Sequence, residues 1–127
     1  MLDELKYLET KNEKYPYIYS LNVMSVIQNE YGSLAKWGNL VEPKDGSEAN
    51  LQALIDFFTE AINDGIDLEN EKTKNNRPFV TKRQTGRILA EAGLEKVTTS
   101  LKNAVVSNNS EETQNQKNVI TTQNPMI

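Results

Sequence analysis

Apolar positions along the chain fall first into a short alternating segment and then into a series of helical ones. Between Leu5 and Ser20 the residues alternate loosely around the polar centre Glu9-Thr10-Lys11-Asn12-Glu13-Lys14, and Tyr15, Tyr17, Ile18 and Tyr19 favour extended backbone. This pattern predicts a β-hairpin. Pro16 has no N–H to give to a ladder, so it belongs at a strand start or on an edge. Ser20 can cap a helix carrying Val23, Met24, Ile27 and Tyr31 at helical spacing, and Gly32 supplies the left-handed residue that closes one. Ser33 restarts a turn or two through Leu34, Ala35 and Trp37, ending near Gly38, and Pro43-Lys44-Asp45-Gly46 reads as a surface turn.

The clearest helical stripe follows Ser47, read as its cap: Leu51, Leu54, Ile55, Phe58, Ala61 and Ile62 recur at steps of three and four. Asp64-Gly65 is expected to end that helix, and Asp67 to Arg77 to form an exposed polar loop closed by Pro78. Thr81 and Gln84 have capping-box spacing, Ile88, Leu89 and Ala92 share the next face, and Gly93 stops it. Leu94, Val97, Leu101, Ala104 and Val105 make a last amphipathic helix whose stripe reads as core. Beyond Ser107 the chain is too polar to offset the entropy of ordering it, so Ser107 to Ile127 is expected to be a disordered tail. The expected fold is mainly α with a small N-terminal β-hairpin (α+β), a compact domain of about four to five helices over residues 1–106, followed by the tail at 107–127.

The length of 127 residues suits one core, and 37% apolar with 25% charged residues is ordinary globular composition. No run approaches the roughly 18 to 20 apolar residues of a membrane span, and Met1-Leu2-Asp3-Glu4 does not open a signal peptide, so a cytoplasmic protein is expected. The absence of cysteine and histidine removes disulfides, thiolate metal sites, the usual zinc ligands and the usual general base. No cofactor, metal or enzymatic activity is expected. A formal charge of -4, from 18 acidic and 14 basic residues, argues against nucleic acid as partner.

Several clusters invite a chemical reading. Asp64, Asp67, Glu69 and Glu71 lack the ligand order and central glycine of a calcium loop, and read as solvated. Asp56 and Glu60 lie one helical turn apart, but nothing in the sequence marks a pocket that would separate their pKa values. Thr81 to Val105, with Lys82, Arg83 and Arg87 near its start, has the outline of a helix-turn-helix, though its second helix offers mainly Glu95, Lys96, Thr98, Thr99, Ser100 and Lys102, which is thin for phosphate contacts. Tyr15, Tyr17, Tyr19 and Trp37, together with the exposed part of the helix bearing Phe57 and Phe58, are the candidate protein-binding surface, because aromatic residues are enriched at interfaces.

Tyr15-Pro16-Tyr17-Ile18-Tyr19-Ser20-Leu21-Asn22-Val23-Met24, then Ile27-Gln28, Tyr31-Gly32-Ser33 and Trp37, resembles the opening of tail assembly chaperones of long-tailed phages and prophages. Ala61-Ile62-Asn63-Asp64-Gly65-Ile66-Asp67, the Arg77-Pro78-Phe79 turn, Gly86-Arg87-Ile88-Leu89 and Gly93-Leu94 extend the resemblance, which spans Lys14 to Val106. It implies a protein of the host cytoplasm that coats the helical, apolar tape measure protein and keeps it soluble until tail tube subunits polymerise. The tail tube protein is a second implied partner, through a frameshifted longer form known in many such systems, and self-association would add avidity along one long client. The alternatives from other classes are a helix-turn-helix DNA-binding regulator and a structural tail or head-tail connector subunit.

Overall fold

The computed structural model describes residues 4–102. A two-stranded antiparallel hairpin, β1 (Lys6–Glu9) and β2 (Lys14–Tyr17), is followed by helices α1 (Leu21–Tyr31), α2 (Leu34–Val41), α3 (Leu51–Thr73) and α4 (Lys82–Ala92), and by α5, helical over 94–102. The fold is α+β, as the periodicity predicts. Ala104, Val105 and the tail from Ser107 to Ile127 lie outside the described residues.

The hairpin pairs Lys6 with Tyr17, Tyr7 with Pro16, Leu8 with Tyr15 and Glu9 with Lys14, and the Thr10 N–H donates to the Glu13 carbonyl at 2.9 Å across its turn. Helices α1 to α4 each start where a side chain takes up an orphan N–H. Ser20 accepts from Val23 N, Ser33 from Lys36 N, and Thr81 and Gln84 form the reciprocal capping box. Gly32 and Gly93, at φ 91° and 99°, close α1 and α4 with a backbone that side-chain-bearing residues rarely adopt.

Several expected boundaries move. α3 is capped by Asn50, whose Oδ1 accepts from Ala53 N at 2.9 Å, while Ser47 N donates to Asp45 and belongs to the preceding turn. α2 continues past Gly38 because Val41 lies one turn beyond Trp37 and both are buried. Gly65 does not end α3, which runs 23 residues to Thr73, so Asp67 to Thr73 are helical and only the stretch from Lys74 to Thr81 connects to α4.

The glycine has a packing reason instead. A Cβ at Gly65 would come within 2.8 Å of the Pro16 carbonyl carbon and oxygen and of Tyr17 Cα. Strand β2 therefore lies with its backbone directly on α3, which is why consecutive residues Pro16, Tyr17 and Ile18 are all buried rather than alternate ones. The approach is close enough for the Ile18 N–H to donate to the Ala61 carbonyl, one turn before Gly65, at 3.1 Å.

α3 is the central element. Ala53, Leu54, Phe57, Phe58, Ala61, Ile62 and Ile66 are buried against β2, α1, α2 and α4. Its last turns are polar, and the hairpin reaches them through the Tyr7 hydroxyl, which donates to Glu69 at 3.1 Å.

Gly65→Ala should destabilise the protein by about 2–3 kcal/mol, the cost of overpacking against backbone that cannot yield. On helix propensity alone the same change would stabilise by about 1 kcal/mol. Urea denaturation followed by circular dichroism gives the sign.

Candidate functional site

The structure redistributes the six aromatic residues proposed as a contact surface. Tyr17, Trp37, Phe57 and Phe58 are 6%, 2%, 1% and 0% exposed, so they belong to the core and are not available to a partner. They form a continuous cluster. Tyr17 meets Phe58 edge-on at 5.5 Å between centroids, Phe58 meets Phe57 at 5.0 Å, and Phe57 meets Trp37 at 5.0 Å. The Trp37 indole N–H donates to the Ala53 carbonyl at 3.1 Å in the first turn of α3, which satisfies its one polar atom inside the core.

Tyr15 and Tyr19 are half-buried. The guanidinium of Arg77 lies over the Tyr15 ring, 4.8 Å from its centroid, and is 3.6 Å from Glu69 and 3.7 Å from Glu13, so this end of the hairpin is stitched to α3 and the loop after it. Tyr19 packs on Phe57 at 5.8 Å, and it also lines a groove between α2 and α5.

That groove, of about 740 Å³, runs between α2 and α5. Tyr19, Leu34, Ala35, Trp37, Val41 and Leu101 give it an apolar lining, and Asn39, Lys44, Thr98, Glu42 and Lys102 mark its polar margin. α2 presents Leu34 and Ala35 at its first turn, with Ser33 fixing the entry by capping. α5 presents Thr98 and Leu101 and is anchored by the buried Val97. Lys102 reaches across to Glu42 at 2.7 Å, an exposed pair that adds little stability but bridges the two walls. The sequence signal for this wall was the stripe Leu94, Val97 and Leu101. The stripe reads as core from its spacing, and the buried Leu101 also lines the groove.

A second polar constellation lies away from the groove. The Asp56 carboxylate, 7% exposed, accepts from the Tyr31 hydroxyl at 2.6 Å and from Gln52 Nε2 at 2.9 Å, and pairs with Lys82 Nζ at 3.0 Å. It joins α1, α3 and α4. Burial pushes its carboxyl up, but hydrogen bonds from Tyr31, Gln52 and Lys82 together outweigh that and hold it below the ordinary carboxylate value. Burial and the Asp56 acceptor push the Tyr31 hydroxyl well above its ordinary range. A carboxylate this fully engaged is a poor proton acceptor, and Glu60 points to a different surface, a depression it shares with Asp64 and Asp67. Beside this network, the hydroxyls of Thr59 and the fully buried Thr85 lie 2.8 Å apart and fasten α3 to α4.

Among the described residues no group of acidic side chains is arranged to hold a metal ion, and no helix is long and apolar enough to cross a membrane. The chain matches no known family profile, no curated protein and no solved structure.

Asp56→Asn should cost about 1–3 kcal/mol at neutral pH, because it weakens three interactions around a buried group. Asp56 ionises at lower pH in the folded chain than its unfolded reference of about 3.9. Its contribution is therefore present above that reference and lost as pH falls through the folded value. The stability gap between parent and variant should narrow there; a gap that stays constant from neutral to acid pH would show that the charge of Asp56 does not matter.

Proposed function

We propose that this chain is a non-enzymatic tail assembly chaperone of a phage or prophage, acting in the host cytoplasm, and that the groove between α2 and α5 receives an apolar helical segment of the tape measure protein. The observation that carries this reading is the groove itself: an open apolar trough on an acidic protein, walled by two helices and margined by polar side chains. Such a trough suits a helix laid in by its apolar stripe, the same interaction a tape measure protein would otherwise make with copies of itself. The resemblance running from Tyr15 to Trp37 supplies the identity of the client, and the half-buried Tyr19 from that stretch lines the trough. Weak contacts repeated by many copies along one client would hold it soluble by avidity until tail tube subunits displace them.

The helix-turn-helix reading loses two of its cations to internal pairing. Lys82 is committed to Asp56 and Lys102 to Glu42, so Arg83, Arg87 and Lys96 would carry the phosphate contacts. A connector subunit would remain in purified particles, whereas a chaperone is absent from them.

Ala35→Glu tests the groove. Ala35 is exposed in the first turn of α2, where a carboxylate suits the helix dipole, so the fold should be kept while a charge enters the trough. Co-expressed with the tape measure protein, the parent chain should bring it into the soluble fraction as a complex of several copies per client by size-exclusion chromatography with light scattering. The variant should recover at least about tenfold less complex, the effect of a buried unpaired charge. Equal recovery by both would remove the groove from the account, and an insoluble client beside the free parent chain would refute the chaperone role.

A further inference from the structure

The loop between α3 and α4 is held by an arrangement that its own connection does not require. Asn70 faces the backbone of Arg77 with both ends of its amide: Nδ2 donates to the Arg77 carbonyl at 2.9 Å and Oδ1 accepts from the Arg77 N–H at 3.0 Å. Asn63, two turns earlier on α3, does the same for Val80, donating to its carbonyl at 3.0 Å and accepting from its N–H at 2.7 Å. Two side-chain amides thus pair with the loop as a neighbouring strand would. Between the clamps stand Pro78, whose ring fixes φ, and Phe79, which is 58% exposed.

The backbone that carries a large, water-exposed aromatic side chain is thereby held on both sides of it. Ordering backbone costs entropy, and burial of Phe79 does not offset it within this chain. Capping of α4 needs Thr81 and Gln84 and places no demand for an aromatic group at 79. An exposed aromatic on a fixed backbone suits a binding anchor, because the backbone part of the ordering cost is met before the partner arrives.

The surroundings of Phe79 define the partner. It shares a depression of about 400 Å³ with Val26 of α1, floored by Val23. Glu60, Asp64 and Asp67 line the same depression from one face of α3, at steps of four and three residues, and no lysine or arginine lines it. An apolar anchor beside an acidic ridge complements a helix whose apolar stripe is flanked by cations, and repels nucleic acid and acidic helices.

We propose that Phe79 and Val26, with the ridge Glu60, Asp64 and Asp67, form a second docking surface for an amphipathic helix of another protein that carries lysine or arginine beside its apolar stripe. This surface is separate from the α2–α5 groove and stands or falls independently of it.

The test uses the full chain and two synthetic helical peptides, identical in their leucine face and differing in whether lysine or glutamate flanks it. Fluorescence anisotropy should show the lysine peptide binding at least about tenfold more tightly than the glutamate peptide, with affinity falling as salt rises. Phe79→Ser should weaken binding of the lysine peptide about tenfold, and Glu60→Gln combined with Asp67→Asn should remove most of the preference between peptides. Unaltered circular dichroism would show that both variants are folded. The proposal is overturned if the lysine peptide does not bind, if the two peptides bind alike, or if Phe79→Ser binds as the parent does. It is equally overturned if light scattering shows concentration-dependent dimers that Phe79→Ser abolishes, since the occupant would then be a second copy of this chain.

Discussion

The contact on which the rest of the molecule depends is backbone against backbone, where strand β2 crosses helix α3 at Gly65. A glycine inside a helix lowers its intrinsic stability, but here the missing Cβ lets Pro16 and Tyr17 sit directly on the helix and lets the Ile18 N–H reach the Ala61 carbonyl. From that seat Tyr17 is delivered edge-on to Phe58, and the aromatic cluster continues through Phe57 to Trp37 on α2. A two-stranded hairpin alone is marginal in water, and docking on α3 is what makes this one part of the fold. α3 in return gains a tie from the hairpin to its later turns, through the Tyr7 hydroxyl on Glu69.

With the larger aromatics committed to that interior, the surface available to partners is set by what the core leaves over. α2 and α5 both pack on the core, but between them their facing sides stay apart, and the result is an apolar trough edged by Tyr19. The polar ties lie elsewhere. Asp56 joins α1, α3 and α4, and the Thr59 and Thr85 hydroxyls fasten α3 to α4. The walls of the trough are thus supported by a framework whose buried polar groups are engaged away from it.

What was legible in the sequence was what local hydrogen bonding decides. Ser20, Ser33, the Thr81–Gln84 box, Gly32 and Gly93 mark helix ends through atoms within four residues of themselves, and each does so in the structure. What was not legible depends on distant partners. Gly65 carries the same local signal as Gly32 or Gly93, and only the approach of β2 distinguishes a packing glycine from a terminator. Ser47 and Asn50 are both capable caps, and the burial of Ala53 and Leu54 decides for Asn50. Tyr17, Trp37, Phe57 and Phe58 look alike as core or as interface, because the same residue types serve both, and the structure assigns them to the core. Leu101 and Val41 gave no sign of facing each other across a groove, since their sequence separation carries no information about it.

The central claim is that the trough between α2 and α5, rather than the aromatic hairpin, receives the client. Hydrogen–deuterium exchange on the complex with the tape measure protein, compared with the free chain, tests it most directly. The account predicts slower exchange on binding across residues 34–44 and 94–102, with the hairpin at 6–17 unchanged. Protection confined to the hairpin, or no protection along either wall of the trough in a complex shown to be intact, would contradict it.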